Sequence, residues 1–137
     1  MYRNSITLHE AYFGNLGGDG KPSGAIAKLL ADAYGSMETW ELHFRSTGAS
    51  LGGGSGWVVL AFELTTGELR TSSAINHTQS IASSLPLLAM DMYEHAYAID
   101  YGAAAAKYLD AFFANVHWDA VNRRLEQADK LSRALRT

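Results

Sequence analysis

The run Gly52-Gly53-Gly54-Ser55-Gly56 splits the chain into two regimes of hydrophobic period. Glycine at this density offers the backbone too much freedom for a helix or a strand to continue through it. Upstream of the run, apolar residues recur at helical spacing. Ile6, Leu8, Tyr12, Phe13 and Leu16 predict a helix over 2–16, ended by Gly14 and by Gly17-Gly18-Asp19-Gly20-Lys21-Pro22-Ser23-Gly24. Ser23 is placed to cap a helix over 24–34, with Ile26, Leu29, Leu30 and Tyr34 on its buried side and Gly35 as its stop. Ser36, with Glu38 and Thr39, opens another over 37–49 that carries Trp40, Leu42 and Phe44. Downstream the period becomes that of strands. The apolar run 57–64 turns at Thr65-Thr66-Gly67 and returns over 68–75 as a hairpin. Leu87-Leu88-Ala89-Met90 is a third strand, entered through Pro86, and helices follow over about 103–115 and 118–135. This order predicts an α+β fold, a three-stranded antiparallel sheet flanked by helices.

Composition narrows the function. The 137 residues suit one domain, and 47% apolar against 18% charged residues supports a buried core and excludes a disordered chain. A net charge of −3 with thinly spread Lys and Arg gives no footprint for nucleic acid. There is no cysteine, which excludes disulfides, thiolate metal sites, iron–sulfur clusters and cysteine nucleophiles. No apolar run approaches the ~20 residues of a membrane span. Met1-Tyr2-Arg3-Asn4-Ser5 lacks a signal-peptide apolar region, so the cytoplasm is the expected compartment. The glycine-rich stretch at 17–24 lacks the Lys-Ser/Thr ending of a phosphate loop and follows no strand, so it reads as a plain loop.

The window with chemistry in it is Asp91-Met92-Tyr93-Glu94-His95-Ala96-Tyr97. Where a strand ends in a turn of helix, Asp91 and His95 converge on one point. Carboxylate oxygen and imidazole nitrogen suit iron or manganese, and without cysteine few other ligands are open to the chain. The same pair also fits a capping Asp beside a solvated or core His.

This window resembles the D-x-W-E-H-A-Y signature of the iron/manganese superoxide dismutases, with Tyr93 where Trp is usual. Gly54-Ser55-Gly56-Trp57 is similar to that family's G-S-G-W, Pro86-Leu87-Leu88 to its P-L-L, and Asn115-Val116-His117-Trp118 to its N-V-x-W. Pro22-Ser23-Gly24 resembles P-T-G, and Tyr34-Gly35-Ser36 resembles F-G-S. The order agrees from about residue 8 to 128.

The resemblance implies that Asp91 and His95 are metal ligands. His9 is the third, because Leu8-His9-Glu10-Ala11-Tyr12-Phe13 lies where the family has N-H-x-x-[FWY]-[WF]. Taken by itself, a helical His beside Ile6, Tyr12 and Phe13 would be a core or interface residue. Glu94 would bond the ligand His of a second subunit, and Tyr97 would lie at the same dimer interface; otherwise they are a surface carboxylate and a core aromatic. Trp57 would line the metal pocket. His77 is taken as the group that bonds metal-bound solvent and sets the redox potential, with Gln79 as the competing candidate. Ser5, four residues before His9, is too short for that task. His43 and His117 are structural or exposed.

Three departures stand out. Nothing corresponds to the family's first His ligand or to the His/Tyr pair after it, so residues 1–18 read as the remnant of an N-terminal helical hairpin before an α+β domain over 19–137. Either Met1 is an internal start or the short form is natural. Tyr93 replaces a pocket Trp, and Ala105-Ala106 stand where Arg-Pro is usual. His9, Asp91 and His95 alone make a two-His, one-carboxylate set with open positions. Without the first helix, apolar surface on 6–16 is expected to be exposed and to favour self-association. The resemblance implies disproportionation of superoxide to O2 and hydrogen peroxide by a homodimer or larger homo-oligomer. It also implies one iron or manganese ion per chain, iron being preferred. The alternative is a catalytically impaired dimerisation or metal-binding module.

Overall fold

The computed structural model describes residues 2–52 and 54–137; Met1 and Gly53, the latter inside the glycine break, lie outside the described residues. Three helices come first: α1 (Tyr2–Gly14), α2 (Gly24–Tyr34) and α3 (Met37–Ala49). Strands β1 (Trp57–Glu63), β2 (Leu69–Ala74) and β3 (Ser84–Asp91) follow, then a single 3-10 turn at Glu94–Ala96. Helices α4 (Ala98–Tyr101), α5 (Ala105–Ala114) and α6 (Trp118–Arg136) complete the chain. Among the described residues no helix is long and apolar enough to cross a membrane.

The sheet is antiparallel with order β2-β1-β3. As the central strand, β1 is covered on both faces, which is why its sequence is a nearly unbroken apolar run rather than an alternation. Trp40 and Phe44 of α3, Phe112 and Phe113 of α5 and Trp118 of α6 pack against one another in the same core, edge to face except for the tilted Trp40–Phe44 pair. Each such ring gains about 1.5–3 kcal/mol from burial. Gly56 opens β1 at φ 152°, and a Cβ there would lie 2.4 Å from the Ala74 carbonyl oxygen, so only glycine fits.

Strand β3 lies at one edge of the sheet, and its outward backbone groups are bonded by side chains instead of another strand. Arg124 of α6 donates to the Leu87 carbonyl at 2.9 Å. Asn15 accepts from the Ala89 N–H at 2.9 Å. The Tyr108 hydroxyl of α5 donates to the Asp91 carbonyl at 2.7 Å. Three side chains thus satisfy alternate residues of an edge that would otherwise invite another strand. Asn15 also donates from its Nδ2 to the Tyr12 carbonyl at 2.9 Å, and Arg124 reaches the Ala11 carbonyl at 3.0 Å. Through these bonds α1 is locked onto β3.

The predicted helices and strands are present, with informative differences. Ser36 caps α3 as expected, accepting from the Thr39 N–H at 3.0 Å. Ser23 precedes α2 without a side-chain cap. Asn122, from α6, accepts from the Ile26 N–H and donates to the Ser23 carbonyl instead, at 2.9 and 2.8 Å. The cap comes from tertiary packing, which a local reading misses. The third strand begins at Ser84 rather than Leu87, because pairing with β1 carries it to Glu63 opposite Ser84. The short helix α4 was not foreseen. On α1, Tyr2, Ile6 and Phe13 are exposed, Ile6 at 59% and Phe13 at 68%, whereas Ala11 and Tyr12 are buried.

Candidate metal centre

The register brings the site together. Trp57, first residue of β1, pairs with Asp91, last residue of β3, and with Ala74, last residue of β2. The end of the sheet therefore presents Trp57 and Asp91 side by side, with the loop bearing His77 just beyond β2.

Asp91 is 1% exposed, an expensive place for a carboxylate unless each oxygen is engaged. Oδ1 accepts from the Tyr93 N–H at 2.9 Å, which turns the chain out of the strand. Oδ2 faces two imidazoles, lying 2.6 Å from His95 Nε2 and 3.4 Å from His9 Nε2. One donor atom from each of the three residues falls within 4.8 Å of the others.

His9 is oriented from within α1. Its Nδ1 lies 2.8 Å from the Ser5 carbonyl, which can only accept, so Nδ1 carries a proton and, in a neutral ring, Nε2 turns its lone pair toward Asp91. Ser5 thus acts through its backbone; its hydroxyl is 3.4 Å away. Such a bond to the second ring nitrogen is the usual way a metal-ligating His is fixed. The edge of Trp57 packs on the His9 ring at 4.9 Å.

His77 and Trp57 are joined. The Trp57 indole N–H donates to His77 Nδ1 at 2.9 Å, which in a neutral ring places the hydrogen on Nε2. His77 therefore has a free donor while its ring lies 5.8 Å from that of His9. Tyr93 stacks on both His77 and His95, with ring centroids 4.8 Å and planes 10° apart for the first and 5.4 Å and 6° for the second.

Beneath the site the Tyr108 hydroxyl has one proton, which goes to the Asp91 carbonyl. Tyr12, 2.9 Å away, therefore donates to Tyr108. Burial pushes both phenols above their ordinary range, Tyr108 most strongly, so both remain neutral donors.

The sequence candidates can be placed in turn. His9, Asp91 and His95 converge, and His77 and Trp57 adjoin them. Gln79 turns away: its side-chain oxygen accepts from the Ile75 N–H at 2.9 Å and braces the loop. Glu94 is exposed next to His95. Tyr97 follows in the same window. It is 2% exposed and stacks on Tyr108 at 5.3 Å, because the 3-10 turn folds it inward. His43 stacks on Tyr34 away from the site, and His117 is the N-cap residue of α6. Sequence reasoning missed Asn15, Arg124 and the hydroxyl role of Tyr108. None of the three carries a local signal for these bonds.

Two neutral imidazoles and one carboxylate, without thiolate, form a borderline-to-hard donor set that fits iron or manganese. The tautomer fixed at His9 and the buried Asp91 Oδ2, bonded only by imidazoles, fit such an ion as well. Fold and site together define an α+β domain with a two-histidine, one-carboxylate centre at the end of an antiparallel sheet. The family model described as iron/manganese superoxide dismutases, C-terminal domain, matches residues 22–124. An iron superoxide dismutase of Cupriavidus metallidurans is 45% identical over 125 residues, covering 91% of this chain and 64% of that protein. An iron superoxide dismutase of Aquifex aeolicus is 35% identical over 134 residues, covering 96% and 62%. A manganese superoxide dismutase of Haloferax volcanii is 38% identical over 128 residues, covering 90% and 62%. The chain belongs to the iron/manganese superoxide dismutase family. It spans just under two thirds of the length of these curated relatives.

Proposed function

We propose that this chain bears the metal centre of a superoxide dismutase, with His9, Asp91 and His95 holding one iron or manganese ion. The observation that carries the reading is the approach of both His9 Nε2 and His95 Nε2 to the single buried oxygen Asp91 Oδ2. When bound, the ion supplies the one-electron change by which one superoxide is oxidised to O2 and a second, with two protons, is reduced to hydrogen peroxide.

The protein's part follows from its own groups. Asp91 contributes the negative charge, which favours a cation strongly because the carboxylate is buried. His9 contributes a lone pair preset by the Ser5 carbonyl. His95 now donates to Asp91, so loading the site displaces a proton from that pair. His77, held by Trp57, offers its Nε2–H to an oxygen in the site, a hydrogen bond that steadies a developing negative charge. Trp57 acts through His77 and His9 and is a positioning residue. Tyr12 and Tyr108 hold the Asp91 backbone without contributing charge.

Association between copies is part of the reading. Glu94 stands exposed next to His95, and Tyr2, Ile6 and Phe13 leave an apolar stripe on the α1 face that also bears His9. The substrate is the superoxide anion.

A second reading is a metal-binding module with impaired turnover. It is favoured by the exposure of the His95 side chain, 57%, which leaves the centre open to water on that side. Metal content of the protein purified without chelators, together with a dismutase assay, separates the two. Near-stoichiometric iron or manganese with dismutase activity supports the first reading, and bound metal without activity supports the second. Protein that stays empty, and whose Tm does not rise with added Mn(II), sinks both. Asp91→Asn keeps the bond to the Tyr93 N–H but removes the charge, and is expected to abolish stoichiometric loading.

A further inference from the structure

Tyr93 touches more of this centre than any sequence pattern suggested. Its backbone N–H donates to Asp91 Oδ1 at 2.9 Å. Its ring stacks on both His77 and His95, nearly parallel to each, with ring centroids 4.8 and 5.4 Å apart. Its edge meets Trp57 at 6.3 Å. The two imidazoles need such support for different reasons. The His95 side chain is 57% exposed, and its ring is tied at Nε2 to Asp91, the bond that loading with metal would break. His77 sits on the loop between β2 and β3, held on one side by the Trp57 N–H.

We propose that Tyr93 is a positioning residue that clamps His77 and His95 by stacking on both, setting the orientation of a ligand and of the proton-donating imidazole with one ring. This deepens the metal-centre reading and rests on it. The face of a phenol ring is electron-rich, so it holds an imidazole best flat and offset against it, and both imidazoles lie within 10° of parallel to Tyr93. The clamp persists when the Asp91–His95 hydrogen bond is given up, so His95 Nε2 stays aimed at the same point. It also couples the two groups: a change in the tilt of Tyr93 moves the ligand and the donor together. The hydroxyl takes no part in stacking, which separates this role from a catalytic one.

The test uses the full chain and two variants, Tyr93→Phe and Tyr93→Leu. In the metal-free parent protein, NMR is expected to show nuclear Overhauser contacts from the Tyr93 ring protons to the carbon-bound ring protons of both His77 and His95. Those imidazole protons are also expected to be shifted upfield by the ring current. Tyr93→Phe should keep the upfield shifts and bind Mn(II), followed by the EPR signal of the free ion, within about threefold of the parent. Tyr93→Leu should lose both shifts and bind Mn(II) about 10- to 100-fold more weakly, the range seen when a group supporting a metal ligand is removed. Should Tyr93→Leu fail to fold, the parent spectrum and Tyr93→Phe still decide the matter. Absence of contacts to either imidazole, unchanged shifts in folded Tyr93→Leu, or a large loss of affinity in Tyr93→Phe would overturn the clamp. A parent protein that refuses Mn(II) would overturn the metal-centre reading instead, and the NMR contacts would still judge the clamp.

Discussion

Asn15→Ala tests the idea that α1 holds His9 in place because it is fastened to the edge of β3. Asn15 is fully buried, and its amide makes two short bonds, from Nδ2 to the Tyr12 carbonyl and from the Ala89 N–H to Oδ1, each at 2.9 Å. The substitution removes both bonds and strands the Ala89 N–H on an edge that no other strand among the described residues covers. A stranded buried donor costs about 1–3 kcal/mol, and a second lost bond adds about 1 kcal/mol. Arg124, 3.4 Å from the same oxygen, keeps its bonds to the Leu87 and Ala11 carbonyls and limits the damage. The expected loss is about 2–4 kcal/mol, read by urea unfolding as a lower midpoint with an unchanged slope. Because His9 lies less than two turns before Asn15, loosening this joint should also weaken Mn(II) binding in protein that is still folded. A loss under about 0.5 kcal/mol would refute the claim that the side chain satisfies the edge. A destabilised variant with undiminished Mn(II) affinity would refute the link from this joint to the site.

Three other outcomes are expected. Tyr108→Phe leaves the Asp91 carbonyl without its donor and should cost about 1–3 kcal/mol in thermal or chemical unfolding. In the parent chain burial raises the Tyr108 and Tyr12 pKa values, so folded protein keeps protons that unfolded chain loses above the ordinary value of about 10. Their contribution is therefore full below about pH 10 and declines as pH rises beyond it, and Tyr108→Phe should flatten that decline in urea midpoints taken between pH 9 and 11. Gly56→Ala forces a Cβ into the Ala74 carbonyl at a φ that side chains rarely adopt; a loss of at least about 1–3 kcal/mol is expected, and an unchanged melting temperature would contradict the geometry. His77→Ala should leave metal content unaltered while lowering the dismutase rate about 10- to 100-fold, and loss of the metal itself would make His77 a ligand rather than a donor.

Much of the fold was legible because its signals are local. The change of period across the glycine break, the Ser36 cap and the Thr65-Thr66-Gly67 turn each act within a few residues. The α2 cap was not, since Asn122 supplies it from 96 residues beyond Ile26. The candidate site divides the same way. Asp91 and His95 are four residues apart, so the turn that unites them is written in one window. His9 joins them across most of the chain, and only its likeness to a family motif pointed there. Tyr97's place in that window suggested a dimer interface; within the chain it is buried and stacks on Tyr108, a contact that no local pattern announces.

By itself the sequence determined an α+β chain, the apolar faces of its helices, the central strand and the residue types able to hold a metal. Periodicity and turn chemistry are short-range properties, and an absent cysteine is a matter of inventory. Only the tertiary structure decided that Trp57 lies beside Asp91, that Tyr93 stacks on two imidazoles, and that Asn15, Arg124 and Tyr108 close the free edge of β3. Those placements follow from strand register and from the need of buried polar groups to find partners, which residues distant in the chain satisfy only once it has folded.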